Sequence, residues 1–398
     1  MKKLLILGAG IYQVPLIKKA QSMGIYVIVT SIPGNYPGFA IADKVYYENT
    51  TDYEAILKIA RDEKIDGIVT SGTDVAIITV GKVCDALGLP GLSAEAAAIA
   101  TDKILMKEAY EANGVRTAKF RILRYDDADY AEKLKDFNFP VMVKAIDSSG
   151  SRGITRVDTM DEFEAARDAA KAVTRSESFI AEEFIEGEEC GAQAFVQDGK
   201  LEFCMPHGDY VFDGDVGVPI GHWAPYDAAP EVMEDMEETL AKAVRAMKLD
   251  NCAVNADFIL KDGKPYVLEI GGRAGGTCLV ELVSIYYGID YYENMIKVAM
   301  GEHADFPTDK HSPCACHLLY SDKEGILVSQ TNDNPDKSEN PQKGEIVDVQ
   351  FDRALGTKVS KFKIGPHRIG HVITRGETLQ DSIDVLQEAL KNIHITVE

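Results

Sequence analysis

The chain has 398 residues, with 42 Lys and Arg against 64 Asp and Glu, a net charge of −22. That surplus argues against sequence-independent binding to nucleic acid or to an anionic membrane, both of which need clustered positive charge. Hydrophobic residues at 45% and charged residues at 27% are the ordinary mix of a soluble globular protein, and the length allows two to four domains. No apolar run reaches the roughly 18 residues of a membrane span. Seven Cys, an odd number without a repeating frame, fit reduced thiols and a cytoplasmic location rather than a disulfide scaffold.

The start, Met1-Lys2-Lys3-Leu4-Leu5-Ile6-Leu7, runs straight into Gly8-Ala9-Gly10, which reads as a first buried strand and not as a leader with a cleavage site. Residues 1–92 alternate apolar runs (Leu4–Leu7, Tyr26–Val29, Ile65–Val69) with helical patterns (Val14–Met23, Tyr53–Asp62, Val75–Leu87). Such alternation predicts a parallel, Rossmann-like sheet. A dinucleotide site at Gly8-Ala9-Gly10 is disfavoured. The third glycine is missing, and Thr30-Ser31-Ile32-Pro33 carries no acidic residue for a ribose.

From 93 to 302 the pattern turns to longer helices and hairpins. Ala94–Ala100 and Lys103–Ala112 are predicted helices, the second stopped by Gly114. Pro140–Ile146 is a strand with Lys144 inside it, and a buried ammonium needs an anionic partner such as phosphate. The loop after it, Asp147-Ser148-Ser149-Gly150-Ser151-Arg152-Gly153, offers small residues and backbone N–H groups to phosphates, although it is not a Walker A loop. Phe179–Ile185 is a further strand running into the acidic stretch Glu186-Gly187-Glu188-Glu189. Pro206–Tyr210 and Gly217–Pro225 read as acceptor-site loops, with His222 and Trp223 as candidate substrate contacts.

The most informative segment is Asn251–Gly276. Period-two alternation sends Val254, Ala256, Phe258 and Leu260 to one face and Asn255, Asp257 and Glu269 to the other. A three-residue turn at Lys261-Asp262-Gly263 sets Glu269 opposite Asn255 and diagonal to Asp257. A two-residue turn sends the carboxylates to opposite faces. Two carboxylates on one hairpin face form a platform for Mg²⁺ or Mn²⁺, and Arg273 among the following glycines suits an oxyanion. After 303 the chain is β-rich, with an exposed excursion at Gln330–Lys343 and a closing amphipathic helix at Thr378–Leu390. Cys314-Ala315-Cys316-His317 lacks a second pair at zinc spacing and reads as strand packing.

Taken in order, these motifs resemble the ATP-grasp superfamily: biotin carboxylase, the carbamoyl phosphate synthetase large chain, glycinamide ribonucleotide synthetase and bacterial L-amino acid ligases. The resemblance implies a pre-ATP-grasp domain at 1–92, a two-lobed ATP-grasp domain at 93–302 with a small lid lobe at about 118–181, and a β-rich domain at 303–398. It further implies that Lys103 and Lys144 meet the ATP phosphates, that Ser148, Ser149, Gly150 and Gly153 belong to the lid loop, and that Glu182, Glu183 and Ile185 read adenine. Glu189, or alternatively Glu188, would meet the ribose, Asp257 and Glu269 the metal, and Arg273 the transferring group, with Lys144 beside it. One departure is Gly271, which stands where many members carry Asn, and Asn255 is the candidate substitute.

The implied activity is ATP- and Mg²⁺-dependent ligation, in which a small carboxylate is activated as an acyl phosphate and attacked by an amine. The partners are then small molecules, and a homodimer is compatible with the reading. The alternatives are carboxylation through carboxyphosphate and a non-catalytic ATP-binding module.

Overall fold

A computed structural model of the chain describes residues 1–147, 153–213, 217–334 and 344–398. The N-terminal part is a four-stranded parallel sheet in which Lys3–Leu7 lies between Tyr26–Ser31 and Gly67–Val69, with Lys44–Tyr47 outermost. The helix Val14–Ser22 buries Leu16, Ile17 and Ala20 against one face, where Ile296 and Ala299 of the helix Tyr291–Ala299 join them. A segment nearly three hundred residues later in the chain thus completes the first core. The edge strand Lys44–Tyr47 carries no fully buried side chain, which is why its sequence gave no strand signal.

A separate antiparallel sheet holds the strands Phe120–Arg124, Ser178–Glu183, Val141–Ala145 and Ile154–Val157 in that spatial order. The helix Phe163–Lys171 covers it, packing Phe163, Ala166 and Ala170 onto Val141, Val143 and Phe179.

The largest sheet has eight strands, in the order Lys264–Gly271, Cys252–Lys261, Glu188–Gln197, Lys200–Val211, Pro219–Ala224, Cys314–Leu319, Gly370–Arg375 and Glu345–Phe351. It runs unbroken past residue 303, because Cys314–Leu319 pairs directly with Pro219–Ala224. The helix Pro230–Ala246, buried through Met236, Leu240, Ala243 and Val244, covers one face. Burying such aliphatic side chains contributes about 1.5–3 kcal/mol each.

Several expectations need correction. Pro206–Tyr210 and much of Gly217–Pro225 are not loops but paired strands, Lys200–Val211 and Pro219–Ala224. The strand Gly325–Asn332 extends into the expected excursion, pairing there with Ile393–Val397; residues 335–343 lie outside the described part. Cys314 and Cys316 are buried strand residues, as packing predicts. The closing helix is Leu379–Lys391, started by a capping box between Thr378 and Asp381.

Candidate active site

Residues from all four sheets, including the three-stranded one formed by Lys358–Val359, Gly325–Asn332 and Ile393–Val397, line a cleft of about 1710 Å³. Its acidic wall comes from the hairpin Cys252–Lys261 and Lys264–Gly271. The turn has two residues, Asp262 and Gly263, because Lys261 pairs with Lys264. Up to Phe258 and Val267 this register follows the two-residue case, which would split the carboxylates. A bulge then intervenes: Phe258 pairs with Val267 but Asp257 with Glu269, leaving Leu268 as the extra residue. Asp257 and Glu269 end up directly opposite each other and share one face. Asn255 pairs with Gly271 instead of Glu269. Its Oδ1 accepts from Gln193 Nε2 at 2.7 Å, while Gln193 Oε1 accepts from the Gly275 amide. Asn255 therefore braces the glycine loop.

Asp257 opens to the cleft yet lies at its floor. Burial, then Glu269, then Asp209 push its carboxyl up to about 7. An oxygen-only pair whose like charges oppose each other fits a hard divalent ion such as Mg²⁺ or Mn²⁺. Across the cleft, Lys103 Nζ lies 3.2 Å from Glu269 Oε1. Lys103 opens the helix Lys103–Ala112, whose N-terminus Asp102 caps by accepting from the Ile104 and Leu105 amides.

Lys144 Nζ lies 3.0 Å from Glu182 Oε2. Glu182 has a second cation, Lys107, at 3.2 Å, and both of these residues are 2% exposed. Burial alone would raise the Glu182 carboxyl, but Lys107 and then Lys144 outweigh it and hold the group down at about 2. Burial likewise lowers the Lys107 ammonium. Lys107 also donates to Thr117 Oγ1 at 2.6 Å, and Thr117 donates to the Val267 carbonyl. Sequence reasoning missed Lys107. The available signal was its position one helical turn after Lys103, on the same face.

Glu183, Ile185 and Glu189 line the cleft. The Glu183 carboxylate is engaged elsewhere, accepting from the Asn138 amide at 2.9 Å. Ser148, Ser149 and Gly150 lie outside the described residues. Gly153 has a φ of +68°, and a Cβ there would lie 2.4 Å from Val173 Cγ2. Trp223 needs correction. Strand alternation turns it away from His222, and it packs on the opposite face against Tyr210. His222 does line the cleft.

Arg273 is bidentate to Asp74 from the N-terminal part, at 2.7 Å (Nε–Oδ1) and 2.9 Å (Nη2–Oδ2). Burial would lower the Arg273 guanidinium, yet Asp74 raises it overall; Asp74 in turn is lowered, Arg273 outweighing its own burial. A Cβ at Gly271 would lie 3.2 Å from Asp74 Oδ1. The glycine thus leaves room for this ion pair, a contact that joins residues 199 positions apart.

Residues 100–277 match the ATP-grasp domain family, and residues 317–398 match the L-amino acid ligase C-terminal domain 2. The crystal structure of phosphoribosylglycinamide synthetase from Anaerococcus prevotii is 33% identical, with a TM-score of 0.85 and complete coverage of both chains. The chain belongs to the ATP-grasp family. Among its ATP-grasp relatives, the formate-dependent phosphoribosylglycinamide formyltransferase of Methanocaldococcus jannaschii is 30% identical over 294 residues, 71% of this chain and 72% of that one. The alanine–anticapsin ligase of Bacillus subtilis is 26% identical over 334 residues, 71% of this chain and 70% of that one.

Proposed function

We propose that the chain is an ATP-dependent carboxylate–amine ligase that activates a small carboxylate as an acyl phosphate and transfers the acyl group to an amine, releasing ADP and phosphate. The ligase class follows from the ATP-grasp family and the relatives named above. The single observation that carries the site assignment is one cleft in which a directly paired Asp257 and Glu269 face the lysines 103, 107 and 144.

In this reading Lys103 and Lys144 meet the nucleotide phosphates, the Glu183 carbonyl and the Ile185 N–H meet adenine, and Glu189 meets the ribose. Asp257 and Glu269 would hold Mg²⁺ or Mn²⁺, which when bound neutralises charge on the phosphate oxygens. Glu182 keeps its strand lysine and Lys107 fixed, so the ammonium of Lys144 is positioned before the nucleotide arrives. Arg273, steadied by Asp74, faces the reacting group and stabilises the oxyanion as the amine attacks. Closure around the site limits water, which would hydrolyse an acyl phosphate. The reading divides the chain at about 92 and 302, with Arg353 and Lys358 of the last part lining the far end of the cleft. Seven free cysteines support a cytoplasmic location.

The test is a release assay for ADP and phosphate over amino acids and small carboxylates paired with amines. Release that requires both a carboxylate and an amine is expected. Release with bicarbonate alone would favour carboxylation, and nucleotide binding without release for every pair would favour a binding module.

A further inference from the structure

A second group of ligating side chains stands on the same face of the large sheet. Residue pairing runs from Glu269 to Asp257, from Asp257 to Gly191, and from Gly191 to His207. Gly191 has no side chain because the His207 ring lies over it: a Cβ there would meet His207 Cε1 at 2.3 Å. Asp209 lies two residues along the same strand, and His222 pairs with it from the next strand. The Nδ1 atoms of His207 and His222 both approach Asp209 Oδ1, at 2.8 and 2.6 Å. Among the described residues this is the group of three that offers ligand atoms within 4.8 Å of one another.

Asp209 has no Lys or Arg partner among the described residues; the two imidazoles are its ion-pair neighbours. In addition, His207 Nε2 is buried with no hydrogen-bond partner, and a buried polar atom left bare is unfavourable. A bound cation suits this arrangement, by placing positive charge beside Asp209 and by using an imidazole lone pair that the protein leaves idle.

We propose that His207, Asp209 and His222 bind a divalent transition-metal ion of the zinc type, at a site separate from the Asp257–Glu269 pair. Two imidazoles and one carboxylate select Zn²⁺, Co²⁺ or Ni²⁺ over Mg²⁺, which prefers oxygen. Around an ion with bonds of about 2.0–2.2 Å, ligand atoms stand roughly 3.3 Å apart, so the contacts to Asp209 would open by about half an ångström or a little more. All three residues line the cleft, so the remaining coordination positions open onto it, where water or a nitrogen or oxygen donor of the acceptor substrate completes the shell. The proposal stands independently of the ligase reading.

Co²⁺ titration of chelator-treated protein without nucleotide tests it, read by visible d–d absorption and by calorimetry. One Co²⁺ per chain with visible absorption is expected, retained in excess Mg²⁺ and in Asp257→Asn/Glu269→Gln. Affinity should fall at least tenfold in Asp209→Asn and in His222→Gln, the removal of a ligand exceeding the effect of a supporting residue. Circular dichroism checks each fold, and His222→Gln alone suffices if Asp209→Asn does not fold. Absence of binding, or binding lost in the Asp257/Glu269 variant and kept in His222→Gln, would overturn the assignment.

Discussion

The two walls of the cleft hold their charges in opposite settings. On the lysine wall, Glu182 sits between Lys107 and Lys144, and a fully buried carboxylate is held ionised by two ammonium groups. On the acidic wall, Asp257 faces Glu269, and burial and like charge push the Asp257 carboxyl up to about 7. The first wall carries its counter-ion within itself and has one positive charge to spare for an anionic ligand. The second pairs Glu269 with Lys103 but gives Asp257 no salt bridge among the described residues, and so favours an added cation. The difference assigns stability to one wall and ligand dependence to the other, and each prediction below sets them against each other.

Glu269→Gln should have the largest effect. We expect turnover to fall by about a thousandfold or more, with the thermal midpoint nearly unchanged, because the lost contact to Lys103 is offset by relief of repulsion at Asp257. Phosphate release and a melting curve measure both; a normal rate would break the comparison. Lys107→Met should do the reverse, costing about 3 kcal/mol of stability by leaving Glu182 with one buried partner. Lys144→Met, at a less buried ammonium, should cost less stability and raise the KM for ATP instead. Denaturant midpoints and ATP titrations separate the two.

pH sharpens the contrast. A carboxyl raised to about 7 is mostly protonated at pH 6 and mostly ionised at pH 8, so Mn²⁺ affinity at the acidic pair should rise about tenfold across that interval. Without metal the sign for stability is opposite. The folded protein holds this proton more tightly than the unfolded chain, so the stability it contributes is present below about pH 4 and is lost as pH rises through 7. Glu182, held near 2, should contribute no change in that window. The smallest effect concerns the seam with the N-terminal part. Asp74→Asn should slow turnover about three- to tenfold, and Gly271→Asn should do likewise by crowding Asp74. The pair Asp74→Ala/Gly271→Asn should recover part of the loss, a coupling of about 0.5–1.5 kcal/mol.

How far these walls were legible in the sequence follows the same division. Period-two alternation identified the face carrying Asp257 and Glu269, since it survives any register that keeps both strands amphipathic. It did not fix the register, because a bulge at Leu268 carries no local signature, and a longer turn gave the same face with the wrong partner for Glu269. The helix Lys103–Ala112 was read correctly, yet Lys107 went unnoticed, since a lysine on an amphipathic helix is ordinarily solvated and only tertiary packing buries it. Asp74 was equally silent, its partner Arg273 being a fold away. The strands carrying His207 and His222 were read as loops because Gly208, Gly217, Gly221 and the nearby prolines signal turns. Here Gly208 and Gly221 instead admit close neighbours, Trp223 over one and Cys316 against the other.

The most direct test of the two-wall account is calorimetry of ADP binding with Mg²⁺ and with chelator, in the natural protein and in Glu269→Gln. The account predicts that Mg²⁺ tightens ADP binding at least tenfold in the natural protein, that Glu269→Gln abolishes this gain, and that metal-free ADP affinity stays the same. An undiminished gain from Mg²⁺ in the variant would contradict it.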